Sequence, residues 1–172
     1  MARAFVAIGS NINAAENVRA AIAALAMRLP LSGISTVYCT EPLERSEQPA
    51  FYNCVVEVDA AISPRDLKFR VLRPIEEALG RRRSSDKHAP RTIDLDLILY
   101  DDLILNDKDL IVPDPEIAGR FFLAVPLAEL DPDLVIPGTG VRISAIAAGF
   151  SREKACSLIE YSAALKRDLM DS

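Results

Sequence analysis

The sequence predicts an α+β fold: a ferredoxin-like sandwich whose β-α-β-β-α-β core forms a mainly antiparallel sheet with helices on one face, plus a C-terminal extension. Three observations predict it. Apolar residues alternate over residues 51–61, recur at helical spacing over 14–29, and form short β-branched or aromatic runs at 3–9, 34–39 and 93–99. The order of these patterns is that of a split βαβ unit. The length of 172 residues suits one domain with a sizeable core and not two.

Residues 3–9 (RAFVAIG) read as a strand closed by the turn signature Gly9-Ser10-Asn11. Within 14–29, Val18, Ile22, Leu25 and Leu29 share one helical face. A strand at 34–39 leads through the polar loop TEPLERSEQPA to a longer strand, in which Val56 and Val58 alternate with Glu57 and Asp59. Ser63-Pro64 offers an N-cap and a first-turn proline, so a helix starts there and runs to about Gly80. Pro74 is expected to kink or split it. The basic loop RRRSSDKHAPR precedes the strand at 93–99, a turn at Asp101-Asp102 and a short strand at 103–105. A Pro-rich segment, an exposed apolar stretch at 121–125 and helical patches at 143–148 and 153–167 follow. Without repeats or Gly/Ser linkers, residues 1–172 read as a single domain with a core at about 1–137 and an extension at 138–172.

A net charge of −5 gives no electrostatic case for nucleic acid, which is held mainly by clustered Lys and Arg. Cys39, Cys54 and Cys156 lack CxxC spacing and sit in apolar contexts, so they read as reduced core thiols of a cytoplasmic protein. No apolar run is long enough to span a bilayer, and the first residues lack the h-region of a signal peptide. The expected partners are small molecules, with the protein a monomer or weak homo-oligomer.

The strand IDLDLIL raises the chemical question. Asp94 and Asp96 leave the same face, about 7 Å apart along the strand, while Leu95 and Leu97 point to the core. Two aligned carboxylates repel, so a cation belongs between them, and Mg²⁺ suits oxygen ligands completed by water and phosphate. Just upstream, Arg81, Arg82, Arg83, Lys87 and Arg91 put five cations within eleven positions, and guanidinium forks match phosphate oxygens. Carboxylates beside an Arg-rich loop suit phosphoryl transfer, although no P-loop or GxGxxG is present. Taken singly, an Asp pair can be the solvated face of an edge strand and an Arg run a solvated helix C-terminus; their adjacency favours function.

From Gly80 onward, GRRRSSDKHAPRTIDLDLILYDD resembles the GRxR…RWGPRxxDxDxLxY signature of the 6-hydroxymethyl-7,8-dihydropterin pyrophosphokinase family of folate biosynthesis. FVAIGSN at 5–11, STVYCTEPL at 35–43, QPAFYN at 48–53 and VPDPEIAGRFFLAVPLAEL at 112–130 fall in the family's order. The resemblance implies a ferredoxin-like fold and transfer of the β,γ-pyrophosphoryl group of ATP to the pterin hydroxymethyl oxygen, leaving AMP. It implies that Asp94 and Asp96 hold two Mg²⁺ ions and that Arg81 and Arg91 neutralise the triphosphate. Thr40, Leu43, Phe51, Asn53 and Phe122 would form the pterin pocket, the two Phe rings sandwiching the flat ligand. Glu76, Arg83, Lys87, His88, Arg91, Asp114 and Arg120 would form the nucleotide site, and the loops at 40–53 and 81–92 its lids.

The chain departs from the family pattern at His88 and Ala89, where it has Trp-Gly, and at Asp114, where a His is usual; Ser84 and Asp109 replace basic residues of some members. These changes gather on the nucleotide side and imply a weakened or altered grip on ATP. An altered pterin or nucleotide preference and a non-catalytic binding homologue are the alternative readings.

Overall fold

In the computed structural model, residues 1–41, 47–82, 89–153 and 155–170 are described. Leu43, Arg83, Ser84, Lys87 and His88 lie outside them. Strand β1 (Ala2–Ser10) is followed by helix α1 (Ala14–Ala26), short strands β2 (Leu31–Ile34) and β3 (Tyr38–Thr40), and the long strand β4 (Phe51–Ala60). A broken helix comes next: α2 (Pro64–Asp66), a π-helical stretch (Leu67–Leu72) and α3 (Arg73–Ala78). Strand β5 (Asp94–Tyr100) leads to a hairpin of β6 (Leu105–Asn106) and β7 (Ile111–Val112), then to α4 (Phe121–Leu130), α5 (Ile143–Ala148), β8 (Ala155–Ser157) and α6 (Ile159–Met170).

The sheet order is β5-β1-β4-β3-β8, with β2 also on β4, and its pairs are antiparallel. Taking β2 and β3 as halves of one strand, this is the ferredoxin-like order expected from the sequence. The broken helix has a local cause. Pro74 has no N–H to donate and its ring would crowd the carbonyl one turn back; the ladder there is of π type, which loosens the turn just before the proline. At the other end Ser63 Oγ accepts from Asp66 N at 3.1 Å, the N-cap that Ser-Pro signals.

Two apolar layers follow from alternation. On one face Ala4, Val6, Ile8, Val56, Val58, Leu95 and Leu97 pack against α1, through Val18, Ile22 and Leu25, and against Leu67, Leu72 and Ile75. On the other, Phe5, Ala7, Val55, Ile98 and Leu99 pack against Ile117, α4 and Ile143. A register shift between Phe5 and Val6 explains why Ile98 and Leu99 both enter the second layer. The core helices lie on one face as expected and α6 joins them there, while α4 and α5 cover the opposite face. Residues 121–125 are therefore not an exposed apolar stretch: Leu123, Ala124 and Val125 are buried in α4.

Several expectations need correction. The strand read at 34–39 is interrupted because the amides of Ser35, Thr36 and Val37 find three different acceptors: Val55 O, Glu129 Oε2 and Ser162 Oγ, at 2.8–2.9 Å. Ser35 Oγ meanwhile accepts from Val55 N at 2.9 Å, standing in for a ladder carbonyl. Replacing buried Ser35 by Ala should cost about 1–2 kcal/mol, read as a lower urea midpoint; an unchanged midpoint would show that Val55 N finds another acceptor. The helix read at 153–167 is instead β8 followed by α6, because residues 155–157 pair with β3. Cys54 is a buried core thiol, but Cys39 is half-buried and Cys156 exposed, since β8 is an edge strand. The strand read at 103–105 is displaced to β6.

Candidate functional site

Asp94 and Asp96 open β5 and project, as alternation requires, away from the layer that holds Leu95 and Leu97. Their cationic neighbours are unequal. Asp94 Oδ1 accepts from Arg81 and Oδ2 from Arg91, each at 2.5 Å. Arg81 also donates to Ile93 O at 2.8 Å. The Asp96 side chain reaches solvent and, among the described residues, makes no hydrogen bond or ion pair. Protein nevertheless crowds it on its other sides, and that loss of hydration, with the charges of Asp94, Glu76 and Asp114, pushes its carboxyl up to about 7.

Because β5 is an edge strand, its outer backbone groups are met by this neighbourhood. Glu76 Oε1 accepts from Leu95 N at 2.8 Å, and Asp114 N donates to Ile98 O at 2.9 Å. Glu76, a helix residue that could have been on the surface, is only 4% exposed. Burial holds its carboxyl above the usual range, with Asp94 adding to the effect and the Leu95 N–H and Arg81 opposing it. Asp114 is half-buried and likewise held up by burial, while its Oδ1 accepts from Glu116 N. Arg120 precedes α4 and pairs with Glu116 at 3.2 Å. No contact joins Arg120 to the carboxylates of β5 among the described residues.

Of the residues expected to hold a flat ring, Thr40, Phe51 and Asn53 lie on the same sheet face. One rung runs Tyr38, Asn53, Gly9, Asp94 across four adjacent strands. Asn53 and Asp94 are thus two strand spacings apart, about 10 Å. A Cβ at Gly9 would meet Asn53 Oδ1 at 3.0 Å, so the glycine gives the amide room to lie over β1. Asn53 Nδ2 donates to Thr40 Oγ1 at 2.8 Å. Phe51, on the same face of β4, and Phe122, at the start of α4, are both half-buried, and neither ring stacks on another aromatic among the described residues.

Other residues here carry structure that the motifs alone did not assign. Asn11 is buried; its Oδ1 accepts from Arg91 N at 2.7 Å, and its Nδ2 donates to Gln48 Oε1 and Pro49 O. Ser10 Oγ donates to Thr92 O at 2.5 Å. The Gly-Ser-Asn turn therefore ties together the bases of the two long loops. Tyr38 donates to Glu129, and burial followed by that carboxylate pushes its hydroxyl up to about 12. Edge-on packing of Tyr38 against Phe121 at 5.2 Å joins β3 to α4. The signal in the sequence was the pair of short motifs containing these residues, but neither states which backbone groups they reach.

Among the described residues no group of three or more His, Cys, Asp or Glu is placed to hold a metal. A cation on this face would take its protein oxygens from Asp94 and Asp96 and complete its shell from water and a ligand's phosphates, which is the habit of Mg²⁺. The donor set fits: both ligands are hard oxygens, and the Asp96 carboxylate makes no ion pair among the described residues, the charge of Lys68 acting on it as the last and weakest influence. No helix among the described residues is long and apolar enough to cross a membrane.

Comparison with known proteins agrees with this geometry. Residues 5–132 match the family model described as 7,8-dihydro-6-hydroxymethylpterin-pyrophosphokinase (HPPK). The 2-amino-4-hydroxy-6-hydroxymethyldihydropteridine pyrophosphokinase of Pseudomonas aeruginosa is 39% identical over 139 residues, covering 78% of this chain and 84% of that protein. The folic acid synthesis protein fol1 of Pneumocystis carinii is 37% identical over 142 residues, 81% of this chain but 19% of that longer protein. In fold, the Plasmodium falciparum HPPK-DHPS crystal structure with pteroate superposes with a TM-score of 0.73 at 13% identity, over 91% of this chain and 47% of that one. The chain thus spans only part of the length of some relatives it matches.

Proposed function

This chain belongs to the 7,8-dihydro-6-hydroxymethylpterin-pyrophosphokinase family, and on that premise we propose that it moves the β,γ-pyrophosphoryl group of ATP to the hydroxymethyl oxygen of 6-hydroxymethyl-7,8-dihydropterin. The observation that carries the proposal is the shared face on which Asn53, Asp94 and Asp96 meet, with Arg81 and Arg91 already converging on Asp94. In the reaction the substrate oxygen attacks the β-phosphorus, the bond from that phosphorus to the α,β-bridging oxygen breaks, and AMP leaves.

Asp94 and Asp96 are the residues that would hold two Mg²⁺ ions, which when bound neutralise phosphate charge and lower the barrier electrostatically. Arg81 and Arg91 are positioned to exchange Asp94 for phosphate oxygens, a trade between two anions that bind a guanidinium fork alike. Glu76 acts through β5, holding Leu95 N and so the angle at which the carboxylates leave the strand. Asn53, fixed by Thr40, offers amide groups to the edge of the pterin; Phe51 and Phe122 offer ring faces, and Leu43 is a further candidate contact. On the nucleotide side Arg83, Lys87, His88 and Arg120 are the candidate contacts. Asp114 enters as an acidic neighbour of Asp96, which disfavours phosphate there unless a cation intervenes. We take residues 1–172 as the unit, because β8 and α6 complete the same sheet and core.

The test is incubation with MgATP and 6-hydroxymethyl-7,8-dihydropterin, separating products by chromatography. Equal amounts of AMP and pterin pyrophosphate are expected. Release of ADP, or binding of the pterin with no AMP, would overturn the reading.

A further inference from the structure

Cys39 on β3 and Cys156 on β8 are direct partners across an antiparallel ladder. Leu158 N donates to Val37 O at 2.9 Å, which makes the 37/158 pair a hydrogen-bonded rung. Rungs alternate in type, so the 39/156 pair, two positions further along both strands, is of the same kind and has its Cα atoms about 5.5 Å apart. Disulfides span Cα separations of about 4.4–6.8 Å. Side chains of directly opposed residues leave the same face, here the one on which Tyr52, the other cross-strand partner of Cys39, meets Tyr161 of α6. As a hydrogen-bonded pair they have Cβ atoms at the wide end of the cross-strand range, about 5.5 Å, against the roughly 3.8 Å of a relaxed disulfide. An edge strand of three residues can shift to close that gap, and the resulting bond stays easy to reduce.

We infer that Cys39 and Cys156 form a reversible disulfide that fastens the C-terminal strand β8 to β3. The two thiols divide the work. Cys156 is exposed and meets the oxidant, a small disulfide such as oxidised glutathione. Its thiolate attacks one sulfur of that molecule, making a mixed disulfide and releasing one small thiolate. The Cys39 thiolate then attacks the Cys156 sulfur, expelling the second small thiolate. The protons lost by the two cysteines are taken up by the two released thiolates, so one oxidant is reduced to two thiols as one protein disulfide forms. Half-buried Cys39 is the slower partner, since burial and the neighbouring thiol both raise its pKa. Cys54 is fully buried, its thiol is pushed up to about 12, and it serves as an internal spectator. The link would act one residue from Thr40, whose hydroxyl holds Asn53.

The experiment treats the intact protein with oxidised glutathione, blocks free thiols under denaturing conditions, and reads intact mass and a peptide map. The expected result is a monomer lighter by two hydrogens before blocking, with free thiols falling from three to one, a peptide joining Cys39 to Cys156, and reversal by dithiothreitol. Cys156→Ser, a change at an exposed position, should keep both remaining thiols under the same treatment. Three thiols in the treated wild type, a stable glutathione adduct on Cys156 with Cys39 free, or a dimer linked through Cys156 would each overturn the inference. None of these readouts depends on turnover, so the proposed reaction and the disulfide stand or fall separately.

Discussion

Asp96→Asn should slow AMP release about a thousandfold, close to 4 kcal/mol of barrier, and leave the melting temperature unchanged or slightly higher. The rate falls because the amide keeps the shape of the carboxylate but loses the charge that would hold Mg²⁺ against the triphosphate. Stability does not fall because the Asp96 carboxylate makes no hydrogen bond or ion pair among the described residues. The groups that most raise its carboxyl after burial, Asp94, Glu76 and Asp114, are all acidic. Removing its charge therefore relieves repulsion in the folded state. Steady-state AMP assays, thermal melts and pterin binding separate the possibilities. Full activity would remove Asp96 from the metal site; a variant that also melts earlier would mean the loss of activity reports damage to the fold.

Much of this arrangement was legible in the sequence because it follows from period. Alternation alone placed Asp94 and Asp96 on one face and Leu95 and Leu97 on the other, and helical spacing picked the buried face of α1. Pro74 announced the break in the second helix before its π-helical form was visible. What period cannot supply is a partner distant in sequence. Residues 155–157 carry no apolar alternation and become a strand only because β3, more than a hundred positions upstream, offers them an edge. The gap between β2 and β3 is equally long-range, since Ser162 and Glu129 supply acceptors that no local rule anticipates. In the site, spacing suggested that Arg81 and Arg91 serve phosphate, whereas the folded chain first pairs both with Asp94.

That pairing separates the two aspartates energetically. Asp94→Ala should lower unfolding free energy by about 2–3 kcal/mol, in contrast to Asp96→Asn, and should abolish turnover as well. Asp94 is 18% exposed and its partners Arg81 and Arg91 are 16% and 33% exposed, so the pairs are neither fully screened nor fully dry. The loss therefore falls at or just below the bottom of the roughly 3–5 kcal/mol that breaking a fully buried pair costs. Part of the loss is cushioned, because Arg81 keeps its bond to Ile93 O and has Glu76 at 3.8 Å. Arg91 keeps its backbone tie to Asn11, whose Oδ1 accepts from Arg91 N at 2.7 Å. Urea denaturation of Asp94→Ala, Arg81→Ala and the double variant measures the coupling, which should exceed 1 kcal/mol if the pair forms in solution. Additive losses would mean the guanidinium rests elsewhere, and Arg81 would then need no exchange of partners to meet phosphate.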